Sequence, residues 1–239
     1  MVASRLASLT VTAVLLQGAV PAAVRASPGG RVAWLEKFDA EKLDWVAPMG
    51  ESAEKIAKIH QVRRDQSGSS HLNARHDYRT RGRIKPVHYG KAFVEQPIPL
   101  EKIRALRWRW RVNQHPPVGS DAWEDIGVAL YVVIKQPSFV RRGKGFKLAW
   151  LAKKGEEGTK QMGLLQIALR ADDKVGEWRS EEVDLCALYR KHFGPCEGEF
   201  LRYVGVTTDA DGTEAVADGD YADFELIVDA PEPSAAAQP

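Results

Sequence analysis

Three arginines at alternate positions, Arg107, Arg109 and Arg111, open the chemical reading of this chain. A guanidinium grips a carboxylate or sulfate through two parallel hydrogen bonds, so a row of three suits a carboxylated or sulfated glycan. The same row suits Asp220 and Asp223 on a neighbouring strand, and cross-strand ion pairs need no ligand. Trp123 lies in the segment GSDAWED. A loop indole there either stacks on a sugar ring or folds over the rim of the domain. Asp125 ends the same segment and joins these residues as a candidate ligand contact. In TTDADGT, Asp209 and Asp211 offer two carboxylates beside backbone carbonyls, the beginning of a structural calcium site. The EF-hand pattern fails for want of a glutamate at the twelfth position, and Asp and Gly also build turns through side-chain to backbone hydrogen bonds alone.

Catalytic chemistry has less to work with. Asp121, Glu124 and Asp125 are acidic neighbours, but glycoside hydrolysis needs two carboxyls facing each other across a cleft, at ~5 Å or ~6.5–9.5 Å. His71 and His76 are five apart, which on a strand sends them to opposite faces and spoils chelation. There is no G-x-S-x-G and no phosphate-binding glycine loop. Cys186 and Cys196 flank ALYRKHFGP, and in an oxidising compartment a disulfide there would stabilise by roughly 2 to 3 kcal/mol. With only His192 nearby the two thiols do not complete a zinc site.

The elements that must position these residues are mostly strands. In ALRWRWRVN, residues 105–113, Leu106, Trp108, Trp110 and Val112 share one parity and the three arginines the other, so indoles face a core and guanidinia face away. IGVALYVVI, residues 126–134, is nearly all apolar and predicts a central strand covered on both faces. Further strands are predicted at 56–62, 69–74, 92–95, 147–152, 163–170, 178–183, 202–208 and 221–228, and one short helix at 185–193 stopped by Gly194. Many short strands and little helix imply an all-β chain folded as an antiparallel β-sandwich of jelly-roll or galactose-binding-like type over residues 27–229.

LRWRWRVN followed by Glu124, Asp125 and the apolar strand, then LYRKHFG, then VGVTTDADGTEAVADGDYADFEL together resemble a bacterial family, domain of unknown function three thousand and forty-seven. The resemblance runs from about Phe38 to Val228 in the family's order. It implies export and a jelly-roll sandwich similar in shape to carbohydrate-binding modules. The chain departs from the family's pattern in having no arginine within 127–131, and in Gly212 where the family carries asparagine.

Composition agrees with a single globular domain: 239 residues, 44% apolar and 28% charged, which excludes collagen-like and disordered chains. The apolar run 6–20, preceded by Arg5 and closed by Pro21 and small residues, predicts a cleaved signal peptide over 1–26 and a periplasmic or secreted protein without a membrane span. Residues 230–239, rich in Pro and Ala, are expected to be disordered. Removing 1–26 leaves 32 basic and 32 acidic residues, so overall charge does not point to nucleic acid. The charges are segregated, however. Residues 61–111 carry 13 Lys and Arg against 4 acids, and residues 196–239 carry 11 acids against Arg202, as if the two segments faced each other in one fold. The functional expectation is an exported, non-catalytic protein that binds a glycan or envelope polymer. A scaffold for a protein partner and a glycan hydrolase are the alternatives.

Overall fold

The computed structural model describes residues 30–40, 43–80, 83–118, 125–136, 143–153, 158, 160–161 and 163–230. The expected signal peptide, Trp123, and the tail beyond residue 230 lie outside the described residues. In chain order the elements are β1 (Gly30–Glu36), α1 (Ala53–Ile59), β2 (His60–Arg64), β3 (Ser70–Asp77), β4 (Tyr89–Ala92), β5 (Ile98–Pro99), β6 (Ile103–Gln114) and β7 (Ile126–Lys135). They continue with β8 (Lys144–Leu151), β9 (Lys160–Gln161), β10 (Leu164–Ala171), β11 (Arg179–Val183), α2 (Leu185–Phe193), β12 (Phe200–Leu201), β13 (Tyr203–Asp209) and β14 (Val216–Asp229).

The chain is an all-β sandwich of two six-stranded sheets. The first runs β11-β6-β14-β3-β2, with β1 also paired to β14. The second runs β4-β13-β7-β8-β10-β9, and β5 and β12 form a separate short ribbon. Every pair is antiparallel except β8 with β10, so the sandwich has one parallel seam where a purely antiparallel arrangement was expected.

Alternation in β6 decides which face is core. Leu106, Trp108, Trp110 and Val112 are all buried, with the two indoles edge to face at 5.3 Å between centroids. They meet Val128, Leu130, Phe146 and Trp150 of the second sheet, and each aromatic removes on the order of 150–250 Å² from water. β14 does the same with a correction built in. Tyr221 pairs with Trp110 and Leu226 with Leu106, both pairs facing inward, although five residues separate the two on β14 and four on β6. A bulge between Ala222 and Glu225 absorbs the extra residue, and Asp223 takes up the turn at φ 53°. Where Gly219 passes the second sheet, a Cβ would lie 2.1 Å from Val128 Cγ1, so that position admits no side chain.

The segment read as a strand at 56–62 is instead divided, with α1 up to Ile59 and β2 from His60. Ser52 caps the helix by accepting the Lys55 N–H at 3.2 Å, and Glu54 pairs with Lys58 one turn on at 2.9 Å. These local helix signals outweighed the apolar Ile56 and Ile59. The strand expected at 92–95 comes earlier, ending at Ala92. Helix α2 occupies the predicted residues, capped by Asp184 accepting from Ala187 N–H at 2.9 Å. A disulfide joins Cys186 to Cys196 as expected. Among the described residues no helix is long and apolar enough to cross a membrane.

Candidate functional site

The outward face of the first sheet carries the arginine row, and each member has an ionic partner. Arg107 Nε donates to Glu182 of β11 at 2.7 Å. Arg109 Nε donates to Asp223 at 2.6 Å, and the other oxygen of that carboxylate takes the Lys37 ammonium at 2.8 Å. Arg111 donates through Nε and Nη2 to one oxygen of Asp220, at 2.9 and 2.5 Å. Asp220 is almost fully buried at 1% exposure and also accepts from Asn73 and Asn113, each at 2.8 Å. Arg75 donates to Asp218 at 3.0 Å. The bulge in β14 is what delivers this arrangement. It leaves Asp220, Asp223 and Glu225 on the same face as the arginines, whereas strict alternation from Asp220 would turn Asp223 and Glu225 inward with Tyr221, and Phe224 and Leu226 outward. Burial opposes ionisation of Asp223, but Lys37 and Arg109 outweigh it and hold its carboxyl below the ordinary range.

Trp178, just before β11, lies against this row. The Arg109 and Arg111 guanidinium carbons stand 5.1 and 4.8 Å from its ring centroid, and His71 meets it edge to face at 5.7 Å. The indole therefore holds two guanidinia against its ring, and the side chains of Lys37, Arg109 and Asp223 remain between 31% and 39% exposed. His71 and His76 fall on opposite faces of β3, as their spacing requires: His71 lies beside Trp178, and His76 reaches the loop after β13.

The acidic candidates converge elsewhere. Carboxylate oxygens of Asp125, Asp209 and Asp211 lie within 4.8 Å of one another, which joins a residue taken for a glycan contact to the two taken for calcium ligands. All three are occupied. Asp125 accepts the Gly212 N–H at 2.9 Å, the Thr213 N–H at 2.7 Å and the Thr213 hydroxyl. Asp209 accepts the Asp211 N–H at 3.1 Å, and Asp211 takes the Lys85 ammonium at 2.5 Å. His76 Nδ1 lies by the Ala210 N–H at 2.9 Å and the Asp209 carboxylate at 3.4 Å, and its Nε2 is 2.8 Å from the Ile84 carbonyl. Burial pushes the Asp209 carboxyl up. Three carboxylates are half of what calcium wants, and these already build the 209–213 turn.

A cleft of about 1190 Å³ coincides with neither group. It lies between β1 and the segment 93–99, with Trp34 and Phe93 among its lining residues.

Sequence reasoning named the arginines and foresaw Asp220 and Asp223 as their partners, but missed Trp178, Lys37 and Glu182. Trp178 carried a signal: a lone indole after the turn at Gly176, entering a charged strand, has no apolar neighbour at spacing two.

No family model matches the chain, and no curated protein matches it. Among solved structures the chain is similar to one described as an exo-beta-agarase, with a TM-score of 0.30 and 8% identity. That similarity covers 88% of this chain and 24% of the other, so the chain spans about a quarter of that protein's length. A likeness at this level bears on neither ligand nor activity.

Proposed function

We propose that this is an exported, non-catalytic glycan-binding sandwich that holds a polysaccharide on the outer face of its first sheet. The observation that carries the reading is the half-exposed stack of Arg109 and Arg111 on Trp178. Each guanidinium has five N–H donors and spends only one or two on its carboxylate, so the rest are held in fixed directions beside an aromatic plate. Directed donors next to an apolar plate are what a sugar, with hydroxyls at its rim and C–H groups on its faces, requires.

The ion pairing moves the ligand class away from the carboxylated or sulfated glycan that the arginines alone suggest. An anion would have to draw a guanidinium away from Glu182, Asp223 or Asp220, whereas an uncharged hydroxyl can use the remaining donors without breaking a pair. The disulfide fits an oxidising compartment, consistent with a periplasmic or secreted location for such a module. The test is retention of the protein on a panel of immobilised neutral, uronate-bearing and sulfated polysaccharides. Retention on a neutral polymer that persists at high salt and is lost in Trp178→Ala is the expected result. Retention on no polymer would sink the reading.

A further inference from the structure

We infer that the free edge of β1, together with the cleft beside it, is a docking site for an extended acidic segment of a partner protein, which adds to the first sheet as a further strand. β1 pairs only with β14, so every second residue of β1 turns its N–H and C=O away from the sheet with no strand partner among the described residues.

Among the edges of the described strands, β1 alone exposes two large apolar residues, although Arg31 and Glu36 also lie on it. β2 ends in Arg63 and Arg64, β11 carries Arg179, Glu181 and Glu182, β9 has two residues, and β4 is short and bridged by Val46. β1 has seven residues and exposes Val32 at 45% and Leu35 at 52%. Val94, exposed at 61%, lies on the segment that lines the other wall of the cleft. An edge of that length with exposed apolar residues is a template for pairing, and soluble proteins cover such an edge or use it.

Charge selects the occupant. Lys91 is paired with Asp44, and Arg104 with Asp229 at 2.5 Å. Arg31 and Lys102, which also line the cleft, have no ionic partner among the described residues, and Glu95 is the one acid of the lining outside those two pairs. A strand with alternating apolar side chains would lay them on Val32 and Leu35, which share the outer face opposite Ile227 and Glu225, and carboxylates at the intervening positions would meet Arg31 or Lys102 in the cleft. A polysaccharide has no donor and acceptor row at the two-residue repeat of about 6.8 Å that the edge presents, so the site is specific for a peptide backbone.

The test takes the full chain and a display library of random peptides, followed by calorimetry with the synthetic peptide of the leading clone. Acidic sequences with alternating apolar residues should be enriched, and their binding should slow amide exchange at residues 31–35. Leu35→Lys and the double reversal Arg31→Glu/Lys102→Glu should each weaken that binding by about tenfold or more while leaving the melting temperature and polysaccharide retention as they were. The inference is overturned if no peptide is enriched, if the enriched peptides bind both variants as tightly as the parent, or if exchange slows only on the second sheet. Loss of polysaccharide retention in Leu35→Lys would also overturn it, since the outer side of β1 would then belong to the glycan site.

Discussion

Arg111 and Trp178 touch each other yet answer to different demands. Arg111 neutralises Asp220, a carboxylate at 1% exposure that keeps Asn73, Asn113 and, at 3.7 Å, His71 once the guanidinium is gone. Arg111→Ser should therefore lower unfolding free energy by about 1–3 kcal/mol in urea titrations, the range for leaving a buried polar group short of partners. Trp178 packs on the outer face and serves no buried charge. Trp178→Ala should abolish retention on the polysaccharide while moving the urea midpoint little. If Arg111→Ser proves as stable as the parent, the ion pair is a surface contact of the kind worth almost nothing.

Two elements carry the architecture beyond simple alternation. The bulge in β14 depends on Asp223 holding φ 53°, a conformation open to Asp, Asn and Gly but hostile to β-branched side chains. Asp223→Gly and Asp223→Val both remove the partner of Lys37 and Arg109, so their difference isolates the backbone. Asp223→Val should be the less stable by about 2 kcal/mol, measured by thermal melts of the two variants side by side. A difference near zero would place the strain elsewhere. Helix α2 is tethered by the bond between Cys186 and Cys196, which closes a short loop. Cys186→Ser/Cys196→Ser should lower stability by roughly 2–3 kcal/mol in the absence of reductant, and adding reductant to the parent should reproduce the loss.

At the scale of the whole molecule, the basic segment 61–111 and the acidic segment 196–239 are laid side by side in one sheet. Arg75 with Asp218, Arg109 with Asp223, Arg111 with Asp220 and Arg104 with Asp229 all bridge the two. Their segregation along the chain therefore reflects strand order. Global stability should instead be tuned by buried histidines. Burial pulls the His60 imidazole down to about 4 against its hydrogen bond to the Val87 carbonyl. Burial and the nearby Lys147 ammonium do the same to His88, which is stacked on Tyr131. In the unfolded chain both titrate near about 6.5, so below that pH the unfolded state takes up protons that the folded state refuses. Stability is then full above about pH 6.5 and falls towards pH 4, by at most about 1.4 kcal/mol per pH unit for each histidine. Urea midpoints at pH 7 and pH 5 read this directly, and His88→Phe should flatten the slope. An unchanged midpoint between those pH values would show that both imidazoles charge freely in the folded protein.

What the sequence determined by itself was whatever depends on neighbours two or four apart: that β6 turns indoles inward and guanidinia outward, that residues 126–134 are central, that residues 185–193 are helical, and that two cysteines ten positions apart can close a loop. The misreading of 56–62 came from weighing apolar residues above the Ser52 cap, also a local matter. Tertiary structure decided the rest. Whether Arg107, Arg109 and Arg111 stand free or neutralised depends on β14 lying beside β6, more than a hundred residues away, in a register shifted by one bulge. The meeting of Asp125 with Asp209 and Asp211, and the seat of Trp178 on two arginines, likewise follow from how the strands stack. Alternation fixes the face a side chain takes because the pleat repeats every two residues, but strand pairing is settled by burial summed over both sheets, a quantity no local window contains.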